Sequence, residues 1–117
     1  MPSTAAEQAV SNQDIAKYLT EAKELASGKR WDAAWAALEK AERVPDASPY
    51  AKYKIDEYKG YALTQRHKDA EAGALYEQLA KAEPASADER IAHLKNASQL
   101  YMRAKQYEKS ARTAEAG

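Results

Sequence analysis

Chemistry near neutral pH would start from two histidines, His67 and His93, because imidazole is the side chain that titrates there. His67 lies in the polar run QRHKD and reads as an exposed turn residue. His93 follows Glu89 by four positions, so on a helix the two would share a face. No HExxH pattern and no third ligand one turn away accompanies them, so they read as a helical surface pair and not as a metal site. Cysteine is absent, which removes thiolate chemistry and disulfides. No glycine-rich phosphate loop, nucleophile elbow or carboxylate pair completes a catalytic set. The expectation is a non-enzymatic protein with no cofactor and no metal.

Aromatic side chains offer binding chemistry instead. Trp31 and Trp35 sit one helical turn apart in GKRWDAAWAALEKAERVP, and Tyr50, Tyr53, Glu57 and Tyr61 follow at roughly helical spacing. The chain that must position them is 117 residues long, with eight Tyr, two Trp and no Phe. Much of its 44% apolar content is alanine, and only four Gly and four Pro interrupt the strong helix formers. That balance predicts an all-α protein. Eighteen basic and 18 acidic residues are interspersed and cancel, so the basic excess of a nucleic-acid binder is missing and no nucleic acid is expected. No apolar run is long enough to predict membrane insertion, and the start MPSTAAEQAV lacks a signal-peptide pattern. The sequence leaves the compartment open between cytoplasmic and, where a leader has been removed, periplasmic.

A repeat organises the chain. Residues 11–48, 49–86 and 87–117 align without a gap at a period of 38, after a segment 1–10 that is expected to be flexible. Ile15, Tyr53 and Ile91 share a column, as do the small residues Ala22, Gly60 and Ser98 and the larger Leu25, Leu63 and Tyr101. Lys29, His67 and Lys105 occupy a polar turn column, and Ala34, Ala72 and Ser110 a second small one. Each unit reads as two helices. Ser48 and Pro49 make an N-cap and first position, a helix runs to about Arg66, and a second starts near Asp69 and is ended by Pro84. In the first unit Gly28 suits a left-handed C-terminal cap and Pro45 closes the second helix. In the third, a helix starts at Asp88 or a neighbour, RAKQ at 103–106 turns, and a second runs from about Gln106 to Ala116.

The first unit's Ala22, Leu25, Trp31, Ala34, Leu38, Ala41 and Pro45 resemble the pattern of tetratricopeptide repeats. Gly60, Leu63, Ala72, Tyr76 and Pro84 follow it in the second, with Asp69 in place of the aromatic, and Ser98, Tyr101, Tyr107 and Ser110 in the third. The period exceeds the family's usual length of about 34, by one extra turn at the start of the first helix. The resemblance implies a right-handed superhelical stack of three antiparallel helical hairpins, the last truncated. Small residues at 22, 34, 60 and 72 would let helices approach closely, with bulk at 25, 38, 63 and 76 filling the space around them. Trp31 and Tyr107 would wedge between the two helices of a hairpin, and Trp35 would pack on the first helix of the second unit. Tyr53 and Tyr58 read as packing residues.

The resemblance further implies a concave groove. Leu19, Lys23 and Ser27 would line it from the first unit, Lys54, Glu57, Tyr61, Thr64 and Gln65 from the second, and Ala92, Lys95, Gln99, Met102 and Arg103 from the third. The peptide-binding set is Lys23, Lys54, Glu57, Tyr61, Gln65, Lys95, Gln99 and Arg103, whose ammonium, guanidinium and amide groups suit a peptide backbone and an acidic side chain or terminus. Leu19 and Tyr58 stand where chaperone-tail binders carry Lys and Asn, so a chaperone tail is not the expected ligand. The expected function is capture of a protein or peptide partner. The alternative is self-association through the C-terminal hairpin: the third unit is short, a capping helix is not visible, and Leu94, Ala97 and Leu100 or Tyr101 are expected to be under-covered. The same shortness suits a fragment of a longer array. A small-molecule pocket within the groove is a third option.

Overall fold

The computed structural model describes residues 4–117, with the backbone alone at 8–10. Among them are six α-helices and no strand: α1 (Ala5–Ser27), α2 (Trp31–Glu42), α3 (Pro49–Gln65), α4 (Asp69–Ala80), α5 (Ala87–Arg103) and α6 (Tyr107–Ala116). The all-α expectation therefore stands. α1 starts at Ala5, where the Thr4 hydroxyl accepts from the Glu7 N–H at 3.1 Å. Residues 5–10, expected to be flexible, thus extend the first helix; residues 1–3 lie outside the described part. Ser48 caps α3 by accepting from the Ala51 N–H at 3.1 Å. Ser86 and Glu89 form a reciprocal capping box on α5, satisfying two otherwise orphaned donors.

The 38-residue period is written into the backbone at the helix-to-helix turns. Lys29, His67 and Lys105 adopt left-handed φ values of 60°, 60° and 62°. At each turn the N–H of that residue reaches back three positions (Lys29 to Ala26, His67 to Thr64, Lys105 to Met102). The next N–H reaches back five (Arg30 to Leu25, Lys68 to Leu63, Gln106 to Tyr101, at 2.9, 2.9 and 2.8 Å). This double bond pattern is the Schellman motif, which satisfies the last carbonyls of the preceding helix. The expected role of Gly28 is corrected: its φ is −86°, and the left-handed position falls on Lys29. A lysine there costs about 1 kcal/mol that a glycine would not.

The connections between repeats are less alike. α2 and α4 stop at Glu42 and Ala80, before Pro45 and Pro84 are reached, so the prolines shape the connections and do not end the helices themselves. Asp46 takes a left-handed φ of 62°, whereas Pro84 in the same column has its φ held near −65° by its ring. The second connection is tied down by Arg90, whose guanidinium donates to the Ala85 and Ala82 carbonyls at 3.1 Å each.

The chain divides into two compact units, Met1–Tyr58 and Lys59–Gly117. In the first, α1 packs on α2, with Ala22 and Ala34 buried, and Ile15, Ala41, Ala51 and Ile55 form a core flanked by Tyr18, Leu19, Val44 and Ala47. In the second, α5 packs on both α4 and α6. Close approach there is explicit. A Cβ added at Gly60 would lie 3.1 Å from the Tyr76 ring, and one at Gly73 would lie 3.0 Å from the Tyr101 ring. The α5–α6 seam is polar: the Ser98 hydroxyl donates to the Ser110 carbonyl and the Ser110 hydroxyl to the Ser98 carbonyl, both at 2.9 Å.

Two packing expectations change. Trp31 and Trp35 are both half-buried, but Tyr107, in the Trp31 column, is 60% exposed and wedges nothing. Ala97, Leu100 and Tyr101 are buried and Leu94 is half-buried, so the under-covered residues expected in the last hairpin are not those four. α6 packs on α5 with Ser110 and Thr113 buried, and Glu108, Lys109, Arg112 and Glu115 on it are exposed.

Candidate peptide-binding faces on the first helices

α5 separates its two faces cleanly. At about 100° per residue, Ile91, Ala92, Lys95, Asn96, Gln99, Met102 and Arg103 span an arc of roughly 140°, and every one is exposed. His93, Ala97, Leu100 and Tyr101 occupy the opposite arc and are buried. The sequence-derived site residues Lys95, Gln99 and Arg103 therefore stand together on one accessible face. Their availability differs. Arg103 reaches back to Asp69 in the first turn of α4, Nη2 to Oδ1 at 3.3 Å, so part of its charge is already engaged. Among the described residues, no hydrogen bond or ion pair holds Lys95 or Gln99.

In the same unit, α3 contributes Tyr61 and Gln65, both exposed. Gly60 turns inward against Tyr76, which puts the next residue outward: Tyr61 is 52% exposed, a large aromatic surface left in water in mid-helix. Thr64 does not present its hydroxyl, which donates to the Gly60 carbonyl at 2.9 Å.

In the first unit Lys23 is exposed on α1, and the Ser27 hydroxyl is turned onto the Lys23 carbonyl at 3.1 Å. Leu19, assigned to the groove by resemblance, is partly buried against the Ile15 core. Lys54 and Glu57 form an ion pair at 3.0 Å, and the Lys54 ammonium lies 5.8 Å from the Tyr50 ring centroid. This pair is less open to a ligand than Lys95 or Gln99. Tyr53 is buried and Tyr58 half-buried, as packing residues are.

Sequence reasoning did not find the polar lock of the second unit. The Tyr101 hydroxyl donates to Glu77 Oε1 at 2.8 Å, and Arg112 grips the same carboxylate with two bonds of 2.9 and 2.8 Å. One carboxylate on α4 thereby joins α5 and α6. Burial, followed by the Glu77 hydrogen bond and charge, pushes the Tyr101 phenol up to about 12. Burial would raise the Glu77 carboxyl, but the hydrogen bonds from Tyr101 and Arg112 and the nearby positive charge outweigh it and hold the group below its ordinary value. Nothing in the linear sequence marks Glu77, since its partners lie 24 and 35 positions away.

His93 is not the surface residue expected. It is buried, with its ring 5.8 Å from that of Tyr76, while the Glu89 carboxylate accepts from the Ser86 N–H in the capping box. His67 is exposed in its turn. An open cleft of about 570 Å³ lies at the α2–α3 connection, lined by Glu42, Val44, Asp46, Ala47, Lys52, Ile55 and Asp56. None of the groove residues lines it. No helix among the described residues is long and apolar enough to cross a membrane. No protein-family model matches the chain, and neither a curated protein nor a solved structure does.

Proposed function

We propose that this chain is a non-enzymatic protein-interaction module that captures an extended peptide or a partner helix on the exposed faces of its first helices. The observation that carries the reading is Tyr61. An exposed tyrosine on a packed helix, beside a glycine buried against Tyr76, offers a partner a large amphipathic ring at low conformational-entropy cost. Gln65 on the same helix and Lys95 and Gln99 on α5 add the hydrogen-bonding and charge that fix a peptide's register. Lys23, Lys54, Glu57 and Arg103 complete the set, with smaller contributions where ion pairs already occupy them. The finer architecture belongs to the same proposal: a right-handed, tetratricopeptide-like stack of three helical hairpins, with these faces lining its concave side. Such a scaffold binds by preorganisation, since side chains held on packed helices need little further ordering.

The test is a random-peptide display selection on the full chain, followed by affinity measurements on variants. Tyr61→Ala combined with Gln99→Ala should weaken the selected peptides at least about tenfold with the melting temperature nearly unchanged. Unchanged affinity would remove the reading. The alternative, self-association through the C-terminal hairpin, predicts a concentration-dependent oligomer in sedimentation and no dependence on Tyr61.

A further inference from the structure

The second helices of the three hairpins, α2, α4 and α6, hold equivalent places in the repeat but are anchored differently. α2 buries Ala34, Ala37, Leu38 and Ala41, and α4 buries Ala72, Gly73, Leu79 and Ala80. On α6 the buried residues are Ser110 and Thr113, both hydroxyl-bearing. The column that holds Leu38 and the half-buried Tyr76 is filled on α6 by Ala114, which is exposed. Apolar burial, the main force that docks one helix on another, is therefore small for α6.

Polar groups hold it instead. Ser98 and Ser110 exchange their hydroxyl bonds across the seam, and the Lys109 ammonium lies 5.7 Å from the Tyr101 ring centroid. The Thr113 hydroxyl spends its bonds within α6, on the Lys109 and Ser110 carbonyls. The strongest tie is Arg112, with its two bonds to Glu77 on α4. Such bonds are exchanged for bonds to water on opening, so each contributes little net free energy. The Arg112 side chain is 56% exposed, which leaves its ion pair open to screening by salt. A detached helix of ten residues without a side-chain cap is too short to persist alone. α5 has separate anchorage on α4: the Tyr101 ring packs on Gly73, the His93 ring lies beside Tyr76, and Ala97 and Leu100 are buried.

We propose that α6 is a latch: it opens as a unit while α4 and α5 stay packed, its closure depends on the ionised Glu77 carboxylate, and opening uncovers Leu94 and the Lys109-facing side of Tyr101. Three groups face that carboxylate: Tyr101 on α5, Arg112 on α6 and Lys81 at the C-terminal end of α4. Burial disfavours the charge on Glu77. The bonds from Tyr101 and Arg112, with the charges of Arg112 and Lys81, outweigh burial and hold the carboxyl below its ordinary 4.5. On opening, Tyr101 and Lys81 stay beside Glu77 and Arg112 leaves. Closure therefore favours the ionised form, so the latch is tight above that ordinary value and loosens as pH falls through the lower closed value.

Hydrogen exchange of the full chain, read amide by amide by NMR, tests the latch. At neutral pH the amides of residues 110–116 should be at least about tenfold less protected than those in the middle of α4 and α5. Arg112→Ala should lower the α6 protection at least about threefold further and leave α4 and α5 unchanged. Glu115→Ala, at another exposed charge on α6, should leave it within about twofold. Glu77→Gln, which keeps the shape and removes the charge, should loosen α6 at neutral pH as acid does in the wild type. Corrected for intrinsic exchange, α6 protection should fall between about pH 6 and pH 3, and less so in Arg112→Ala. Equal protection of α6 and α4–α5 would show that the three helices open together and overturns the proposal. So does α6 protection indifferent to both Arg112→Ala and Glu77→Gln.

Discussion

The first hairpin and the last, α1–α2 and α5–α6, follow one backbone plan with different chemistry. Both turn through a left-handed lysine and the same pair of reaching N–H groups. Yet the small positions that meet in the first are Ala22 and Ala34, while in the last they are Ser98 and Ser110, exchanging hydroxyl-to-carbonyl bonds. The outer positions diverge further, with Ile15 sealed into a core and Ile91 open. The period therefore constrains size and turn geometry, and it leaves polarity free. Hydroxyls are tolerated at a helix seam when each finds a carbonyl, because only an unsatisfied buried polar group carries the full desolvation penalty.

The sharpest way to break this comparison is at the shared isoleucine column. Ile15→Ala should cost about 2–5 kcal/mol in chemical denaturation, since it empties a packed site. Ile91→Ala should stay within about 0.5 kcal/mol. Equal costs would mean that the two faces are covered alike.

The lock at Tyr101 comes next, because the first hairpin has Leu25 in that column and no equivalent bond. Tyr101→Phe should cost about 1–3 kcal/mol, the range for losing a hydrogen bond to a charged partner. It should also change the pH profile. A phenol whose folded pKa lies at about 12 adds stability that is complete below its ordinary value of 10.0 and is lost as pH rises through the folded value. Glu77 acts with the opposite sign: its depressed pKa adds stability above the ordinary 4.5 that is lost as pH falls through the lower folded value. Denaturation midpoints measured against pH should therefore fall at both extremes in the wild type. In Tyr101→Phe the alkaline fall should be shallower.

The smallest effect tests what the hairpins share. Lys29→Gly and Lys105→Gly should each stabilise by about 0.5–1 kcal/mol, by removing a side chain from a left-handed backbone. Thermal melts of the two variants should rise together. A gain at one turn alone would show that the turns are not equivalent.

Much of the frame was legible in the sequence because it depends on residue size and on turn chemistry. The unbroken register at 38 residues located every connection, and Ser48–Pro49 marked the start of α3. Gly28 misled because glycine is the usual left-handed residue, whereas here the bond pattern sets the left-handed position one residue later. The prolines misled in a similar way: each marks a connection, but the helix before it stops three or four residues earlier. Of the candidate site, the accessible positions of Tyr61, Lys95 and Gln99 were what the tetratricopeptide resemblance implied, and all three are exposed. The ion pairs of Lys54 with Glu57 and of Arg103 with Asp69 were not legible as engagements, since charge spacing alone does not say which partner a long side chain chooses. Ile91 escaped attention because its column is otherwise a core column, and only three-dimensional burial separates its members.

Under the proposed function, the first helices bind while the second helices support them. Backbone amide NMR shifts of the labelled full chain, followed during titration with a display-selected peptide, test it most directly. The largest changes should cluster at Tyr61 and Gln65 on α3 and at Ala92, Lys95 and Gln99 on α5. Changes centred on α2, α4 or α6, with those positions still, would contradict it.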